Sequence, residues 1–460
     1  MVPALIALAG LLLAATPDAP PGDEGPFVTR RYVIERIAFE GLDHTRPSEV
    51  RRHLEVAEGE LLDDEAVLLS RLRLLQLGWF SRVDSRVERG SERGQVVLVF
   101  SFQERNTLVV SDLIVGSTGP APIYGGLGLT QTNFLGLGLG LSGAFVYGGA
   151  PAEQPWAPSR FSARAAFLAP DVPVGDLALV LGLSAIALRG EELTCSDPGC
   201  DQLGGHYGGA PRIRYDRYGG EVTFGLRPGP FERLLGGYRL ERVGAERIAG
   251  SGADAGGAAP SIRLGRSWLS ALTATYDRDT RNDFFLPTDG TRLTVNAVFG
   301  SQALGGDYEF TRLLLQLESD HALPWGHALR LQGAAGAAQG PEDDRGPPFF
   351  ERFYAADWSY FSIGPALGRA LELNFSSDSR YDAYLAMLGL EYGIPLWSGG
   401  DVFHRGYVAI GGRWVYSAAK ATSGRTPVSR APLSADLAFR LDTPVGSFNL
   451  SLGYLLDIFI

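Results

Sequence analysis

From Asn106 to Ile460 apolar residues recur at every second position, and that period limits what the chain can fold into. Leu177, Leu179, Leu181 and Leu183 show it, as do Val222, Phe224 and Leu226 against Glu221, Thr223 and Arg227. Leu293, Val295, Ala297 and Phe299 repeat it, then Leu313, Leu315 and Leu317, then Leu437, Phe439 and Leu441. Leu135, Leu137, Leu139 and Leu141 alternate with glycine in the same way, and Phe448 to Ile458 closes the chain on the pattern. Successive strand side chains point to opposite faces, so each segment has one apolar and one polar face. Segments of about ten residues follow one another with no helical pattern between them.

Two architectures have such faces: a soluble sandwich and a membrane β-barrel. The polar faces carry Arg, Glu and Asp beside Gly, as a wet lumen requires. Phe145, Tyr147, Trp268, Tyr276, Trp325, Trp397, Trp414 and Tyr416 stand near strand ends, where interface girdles sit. The composition agrees. The 460 residues are 45% hydrophobic with 60 glycines, and mean hydropathy is +0.02, the average of one lipid-facing and one wet face. No run of about eighteen apolar residues follows the N-terminus, which excludes a helical membrane bundle. A net charge of −11 argues against nucleic acid as a partner. The expected fold is an all-β transmembrane antiparallel barrel of about 16 strands, with 14 or 15 as alternatives.

The N-terminus differs. Met1–Ala15 reads as the apolar core of a secretory signal, so residues 1–19 are expected to be a signal peptide and 20–30 a linker. Cys195 and Cys200, the only cysteines, flank Ser-Asp-Pro-Gly, and in an exported protein a loop disulfide is expected. Over 31–105 the period changes. Tyr32–Phe39 reads as a strand, and Thr45-Arg46-Pro47-Ser48 opens a short helix carrying Val50, Leu54 and Val56. Asp63-Asp64-Glu65 starts a second helix, which Gly78 stops. Strands Val83–Val87 and Val96–Phe102 complete a β-α-α-β-β domain of α+β type. The barrel is expected over 106–460.

Sites of chemistry are sparse. His44, His53, His206, His321, His327 and His404 show no paired ligand spacing. No G-x-S-x-G and no P-loop occurs, and the GLGLGLSG run reads as strand alternation rather than a dinucleotide fingerprint. Asp277, Asp279 and Asp283 with Arg278 and Arg281 make a dense turn, read as a salt-bridged rim ahead of a cation site. No catalytic residue, metal site or cofactor is read, and no enzyme is expected.

The residues do resemble a known group. IERIAFEG, VAEGELLD, LLQLGWFSRV and GQVVLVFSFQE look like one POTRA domain. In the barrel, TNFLGLGLGL, YDRDTRNDFFLPTDGTRL, PPFFERFYA, GLEYGIPL and FRLDTPVGSFNLSLGY are similar to segments of the BamA/TamA superfamily of outer-membrane assembly and translocation proteins. The second of these is the most specific and includes Asp277, Asp279, Asp283, Pro287 and Gly290. The resemblance implies an outer-membrane barrel in the lipid bilayer of a Gram-negative cell. It also implies a periplasmic POTRA domain, extended polypeptide clients and periplasmic accessory proteins as candidate partners. By resemblance the chain helps insert or translocate other polypeptides. Clients would pair with the edge strand at Val83, Ser85 and Val87, and with the barrel seam, where Gly125, Gly126 and Gly128 suit weak pairing.

Two departures stand out. The family's long inward loop carries an Arg-Gly-aromatic lid motif after the RFY segment, and its arginine pairs with two wall acids. Here the text is RFYAADWSYFSIGPALGR. One acid corresponds to Glu391, and the other falls near the apolar Ile410. Arg352 and Arg369 are the candidate substitutes, with Phe353 beside them; the plainer reading is that they are solvated wall residues. The chain also stops one strand after the Thr443-Pro444 hairpin, so either Ala370–Phe375 adds a strand or the seam pairs differently. These departures motivate the alternative of a passive channel or structural barrel that has lost the assembly activity.

Overall fold

The computed structural model describes residues 32–116, 123–149, 160–174, 177–193, 212–247, 261–283, 286–341, 344–354, 381–398, 405–418, 429–430, 433–443 and 446–456. The expected signal and linker, Cys195, Cys200, Arg369 and the segment 370–375 lie outside the described residues.

The N-terminal domain is β1 (Val33–Glu40), α1 (Pro47–Arg51), α2 (Asp64–Gln76), β2 (Phe80–Arg89) and β3 (Gln95–Glu104). Asp63 caps α2, its carboxylate accepting the Glu65 N–H at 3.1 Å. Gly78, at φ 70°, follows its end. Helix α1 is one turn only, and Val56 enters the core from beyond it. Strand β3 lies between β1, parallel to it, and β2, antiparallel. Ile34, Ile37, Leu74, Trp79, Phe80, Leu98 and Phe100 are buried between sheet and helices, and each aliphatic one contributes about 1.5–3 kcal/mol.

The barrel follows: β4 (Leu108–Gly116), β5 (Tyr124–Phe134), β6 (Leu139–Gly148), β7 (Arg160–Val174), β8 (Leu177–Leu193), β9 (Arg212–Leu226), β10 (Glu232–Arg247) and β11 (Gly265–Asp279). Then come β12 (Gly290–Gly300), β13 (Phe310–Ala322), β14 (Ala328–Gln339), the short β15 (Phe353–Tyr354) and β16 (Tyr381–Asp382), β17 (Tyr384–Ser398), β18 (Arg405–Ala418), the short β19 (Ser429–Arg430), β20 (Leu433–Thr443) and β21 (Gly446–Leu456). Fifteen of these strands form one continuous path from β4 to β21 and β19 pairs only β18, which makes a sheet of 16 strands. Every pairing on the path is antiparallel. The path curls until Cα atoms of β4 and β21 approach within 8 Å. No helix among the described residues is long and apolar enough to cross a membrane.

The two faces separate as the period requires. Phe224, Leu240, Leu272, Leu313, Leu315, Leu388, Leu390 and Leu437 are exposed on the outside. The residues between them, among them Arg217, Glu241, Arg312, Glu391 and Arg413, are buried inside. Two readings of the sequence need correction. The Leu-Gly run is not strand throughout: Leu135–Gly138 is a turn, with φ of 57°, 70° and 69° at Leu135, Gly136 and Gly138, values that glycine adopts freely and strands do not. Gly125, Gly126 and Gly128 belong to the second strand of the barrel, β5, which is paired on both sides.

Placing a charge on the outer face tests the assignment. Leu313→Arg is expected to lower barrel stability by about 2–4 kcal/mol if its position lies near mid-bilayer. Urea unfolding of the protein in lipid vesicles reads this out, and an unchanged midpoint would contradict a lipid-facing Leu313.

Candidate functional site at the mouth and seam of the barrel

The N-terminal domain is seated on the turns at one end of the barrel. The β5–β6 turn makes the first contact. Trp79 Nε1 donates to Thr132 O at 2.9 Å, Asn133 Nδ2 to Thr45 Oγ1 at 2.9 Å, and the Arg46 N–H to Gly136 O at 3.2 Å. Asn133 Oδ1 also accepts the Gly138 N–H, which shapes the turn. A Cβ on Gly136 would stand 2.1 Å from His44 O, so only glycine allows this approach.

The β7–β8 and β9–β10 turns make the second contact. Asp171 lies 2.5 Å from Arg227 Nη1 and 3.3 Å from Nδ1 of His53. His53 is 1% exposed and packs edge-on against Trp79. Its Nδ1 makes no hydrogen bond among the described residues. Burial, then the charges of Arg73, Arg227 and Arg52, hold the imidazole pKa well below its ordinary 6.5, so the ring is neutral.

The turn between β11 and β12, which carries the motif residues, is the third contact. Gln76 of α2 donates to the carbonyls of Asp279 and Arg281. Arg281 bonds Asp279 at 2.7 Å and Glu318 of β13 at 3.0 Å. Pro287 O accepts from Arg330 of β14, and Asp283 meets Arg405 of β18 at 2.5 Å. Gly290, at φ 107°, closes the turn against Thr280 O. Asp277 sits one step up the wall between Arg233 and Arg292. From Arg405 the chain of charges runs to Asp442 of β20, and from Asp442 to Arg105 at 2.6 Å. Arg105 directly follows β3, three residues before β4, and its N–H donates to Trp79 O at 3.0 Å. The contacts thus form a closed circuit from the domain, around the mouth, to the seam and back.

At the seam, β4 and β21 end the strand path and share no ladder among the described residues. An odd number of alternating strands makes the two run in the same direction. The N-terminal domain has edges of its own. The edge of β1 is occupied by the 59–62 segment: Ile34 N–H donates to Glu60 O, Gly59 N–H to Ile34 O, and Leu62 N–H to Tyr32 O. On β2, Val83 is buried in the core and its carbonyl accepts from Arg71 Nε at 3.1 Å. Ser85 is half-buried and Val87 exposed. Of the three, Ser85 and Val87 therefore stand on the more exposed part of this edge.

Inside the barrel the segment after β14 lies on the wall. Arg352 Nε donates to Pro347 O at 3.3 Å. Its neighbour Glu351 is bonded to Arg239 of β10. Arg239 lies 3.6 Å from Glu241, which holds Arg217 at 2.7 Å, and the Arg217 guanidinium stacks on Phe350 at 3.9 Å. Phe349 sits between Tyr215 and Tyr381, 4.9 Å from each. Phe353 fills a pocket of Leu314, Ala334, Ala338, Leu385, Met387 and Val415. Glu391 is bonded at 2.6 Å to Arg440 of β20. Ile410, expected at the second acid's place, is 54% exposed on the outside. The inner position opposite Glu391 is Gly411, because a register step of one residue exchanges the faces. The sequence reading missed Glu351, Arg239, Trp79 and the Arg105–Asp442 pair. Only Glu351, one residue from a singled-out arginine, left a local signal. No group of three or more metal-ligating side chains occurs among the described residues.

Comparison with known proteins agrees with this architecture. A family model described as the Omp85 superfamily domain matches residues 133–457, and a POTRA model, the surface antigen variable number repeat, matches 32–105. The outer membrane protein assembly factor BamA of Nitratidesulfovibrio vulgaris is 26% identical over 330 residues, 71% of this chain and 37% of that protein. The chain therefore spans little more than a third of the length of that relative. CdiB from Escherichia coli superposes with a TM-score of 0.52 at 11% identity, over 96% of this chain and 89% of that one, a likeness of fold. BamA from Haemophilus ducreyi lacking POTRA domains 1–3 gives 0.49 at 17% identity, over 93% and 82%.

The neutral His53 makes the seat of the domain sensitive to acid. A group whose folded pKa is depressed contributes stability that is present above its unfolded value and lost as pH falls toward the folded one. The Tm of the protein in detergent is expected to fall more steeply below about pH 6.5 than that of His53→Phe. Carboxylates common to both cancel in the comparison, and parallel pH profiles would contradict the assignment.

Proposed function

The chain belongs to the Omp85 superfamily, and from that membership we propose that it is a non-enzymatic factor for inserting or translocating other polypeptides at the outer membrane. Its barrel spans that membrane and its POTRA domain lies on the periplasmic side. The observation that carries the proposal is the pair of adjacent barrel edges that share no ladder among the described residues. An unpaired strand edge presents a row of N–H and C=O groups that an extended client can satisfy. The β2 edge at Ser85 and Val87 supports a first capture step by the same chemistry, with Arg86 and Glu88 turned outward beside it. Client strands would then pass from one edge to the other, the POTRA domain being seated beside the mouth.

The passive-channel alternative has less support, since the domain is bonded to the barrel at several places around the mouth. Two measurements decide. A photo-crosslinking residue at position 85 or 87 is expected to capture extended polypeptide clients, and depletion is expected to lower specific outer-membrane or surface proteins. A large, steady pore in planar bilayers, together with no effect of depletion, would establish the passive channel instead.

A further inference from the structure

We propose that the Arg105–Asp442 ion pair is the latch of the barrel seam, and that it ties the state of the seam to the seat of the POTRA domain. Strands β4 and β21 run in the same direction and share no ladder among the described residues. Every other neighbouring pair along the path is held by a full antiparallel ladder. Arg105 stands three residues before β4, and Asp442 is on β20, opposite Ser447 of β21. Their bond at 2.6 Å therefore reaches from the first strand's side of the seam to the last hairpin. The two side chains are 3% and 4% exposed, so salt and water screen the pair little.

Each end of the latch is anchored. Asp442 lies opposite Arg405 in the β18–β20 register, at 3.6 Å from its guanidinium, and Arg405 is held by Asp283 of the motif turn. At the other end the Arg105 N–H is bonded to Trp79 O, inside the POTRA core, and Trp79 is bonded to the β5–β6 turn. A tilt of the domain that pulls Trp79 off Thr132 also pulls Arg105 off Asp442. Removing one member of a buried pair weakens the compensation of the other charge, although Asp442 keeps Arg405 at 3.6 Å; the strain is relieved at β4 and β21, which share no ladder among the described residues.

Hydrogen exchange of the full-length protein in detergent micelles, followed by mass spectrometry, tests this without any client. Failure of the assembly function would therefore leave the result intact. Asp442→Asn and Arg105→Gln are each expected to speed exchange in peptides spanning 108–116 and 446–456 about tenfold or more, with β9–β13 unchanged. The double variant is expected to go no further than either single. Arg105→Lys, which keeps the charge but loses the planar fork, is expected to fall between and serves if the other variants do not fold. Trp79→Phe, which removes the bond to Thr132, is expected to speed the same two peptides. Wild-type exchange at both edges in a folded variant would overturn the latch. So would an increase spread evenly over all strands, which is the mark of a merely structural pair.

Discussion

A strand inside a bilayer has no water to satisfy its amide and carbonyl groups, so each must find a partner strand. That requirement organises this molecule. Fourteen junctions meet it, since every neighbouring pair on the fifteen-strand path has its ladder. The one remaining junction, between β4 and β21, brings two edges together without a ladder among the described residues. Side chains bridge it instead, and a line of charges reaches it from the turn between β11 and β12. Asp283, Arg405, Asp442 and Arg105 form a line from the motif turn to the seam. None of these charges is isolated, which is what burial of charge demands.

The same line explains why the N-terminal domain is seated rather than tethered. Its core tryptophan is bonded both to a barrel turn and to the backbone of the residue that carries the seam's ion pair. Its second helix reaches the motif turn through Gln76. Inside the barrel, the segment after β14 repeats the logic with reversed polarity: a loop acid, Glu351, meets a wall arginine, Arg239. The segment is thus anchored by a pair in which the loop supplies the acid and the wall the arginine.

Much of the fold is legible in the sequence, because alternation is a local property. Leu313, Leu315 and Leu317 name a face whatever strand lies beside them. The limits are also local. Leu135 and Leu137 continue an alternating run but stand in a turn, where positive φ at Gly136 and Gly138 overrides the period. Ile410 and Gly411 differ by one step, and one step decides between lipid and lumen. The site is harder to read. Arg105 and Asp442 are 337 positions apart, and no spacing rule joins them. His53 is one of six scattered histidines until the fold sets Trp79, Asp171 and Arg227 around it. Charges in a polar lumen are expected everywhere, so sequence alone cannot rank those that cross a junction above those that decorate the wall.

The strands differ in length around the wall. Those from β7 to β11 have 15 to 17 residues, whereas β4, β5, β6, β20 and β21 have 9 to 11. At about 3.3 Å per residue and a tilt near 45°, the short group spans roughly 20–25 Å and the long group roughly 35–40 Å. A bilayer whose hydrocarbon is about 30 Å thick fits neither side alike. It has room to spare against the long strands and must be compressed against the short ones. Lipid is therefore expected to be thinner beside the short strands, β12 with its 11 residues among them, than beside β7 to β11. The wall thus sets the thickness of the bilayer strand by strand, so the protein shapes its solvent as well as being shaped by it.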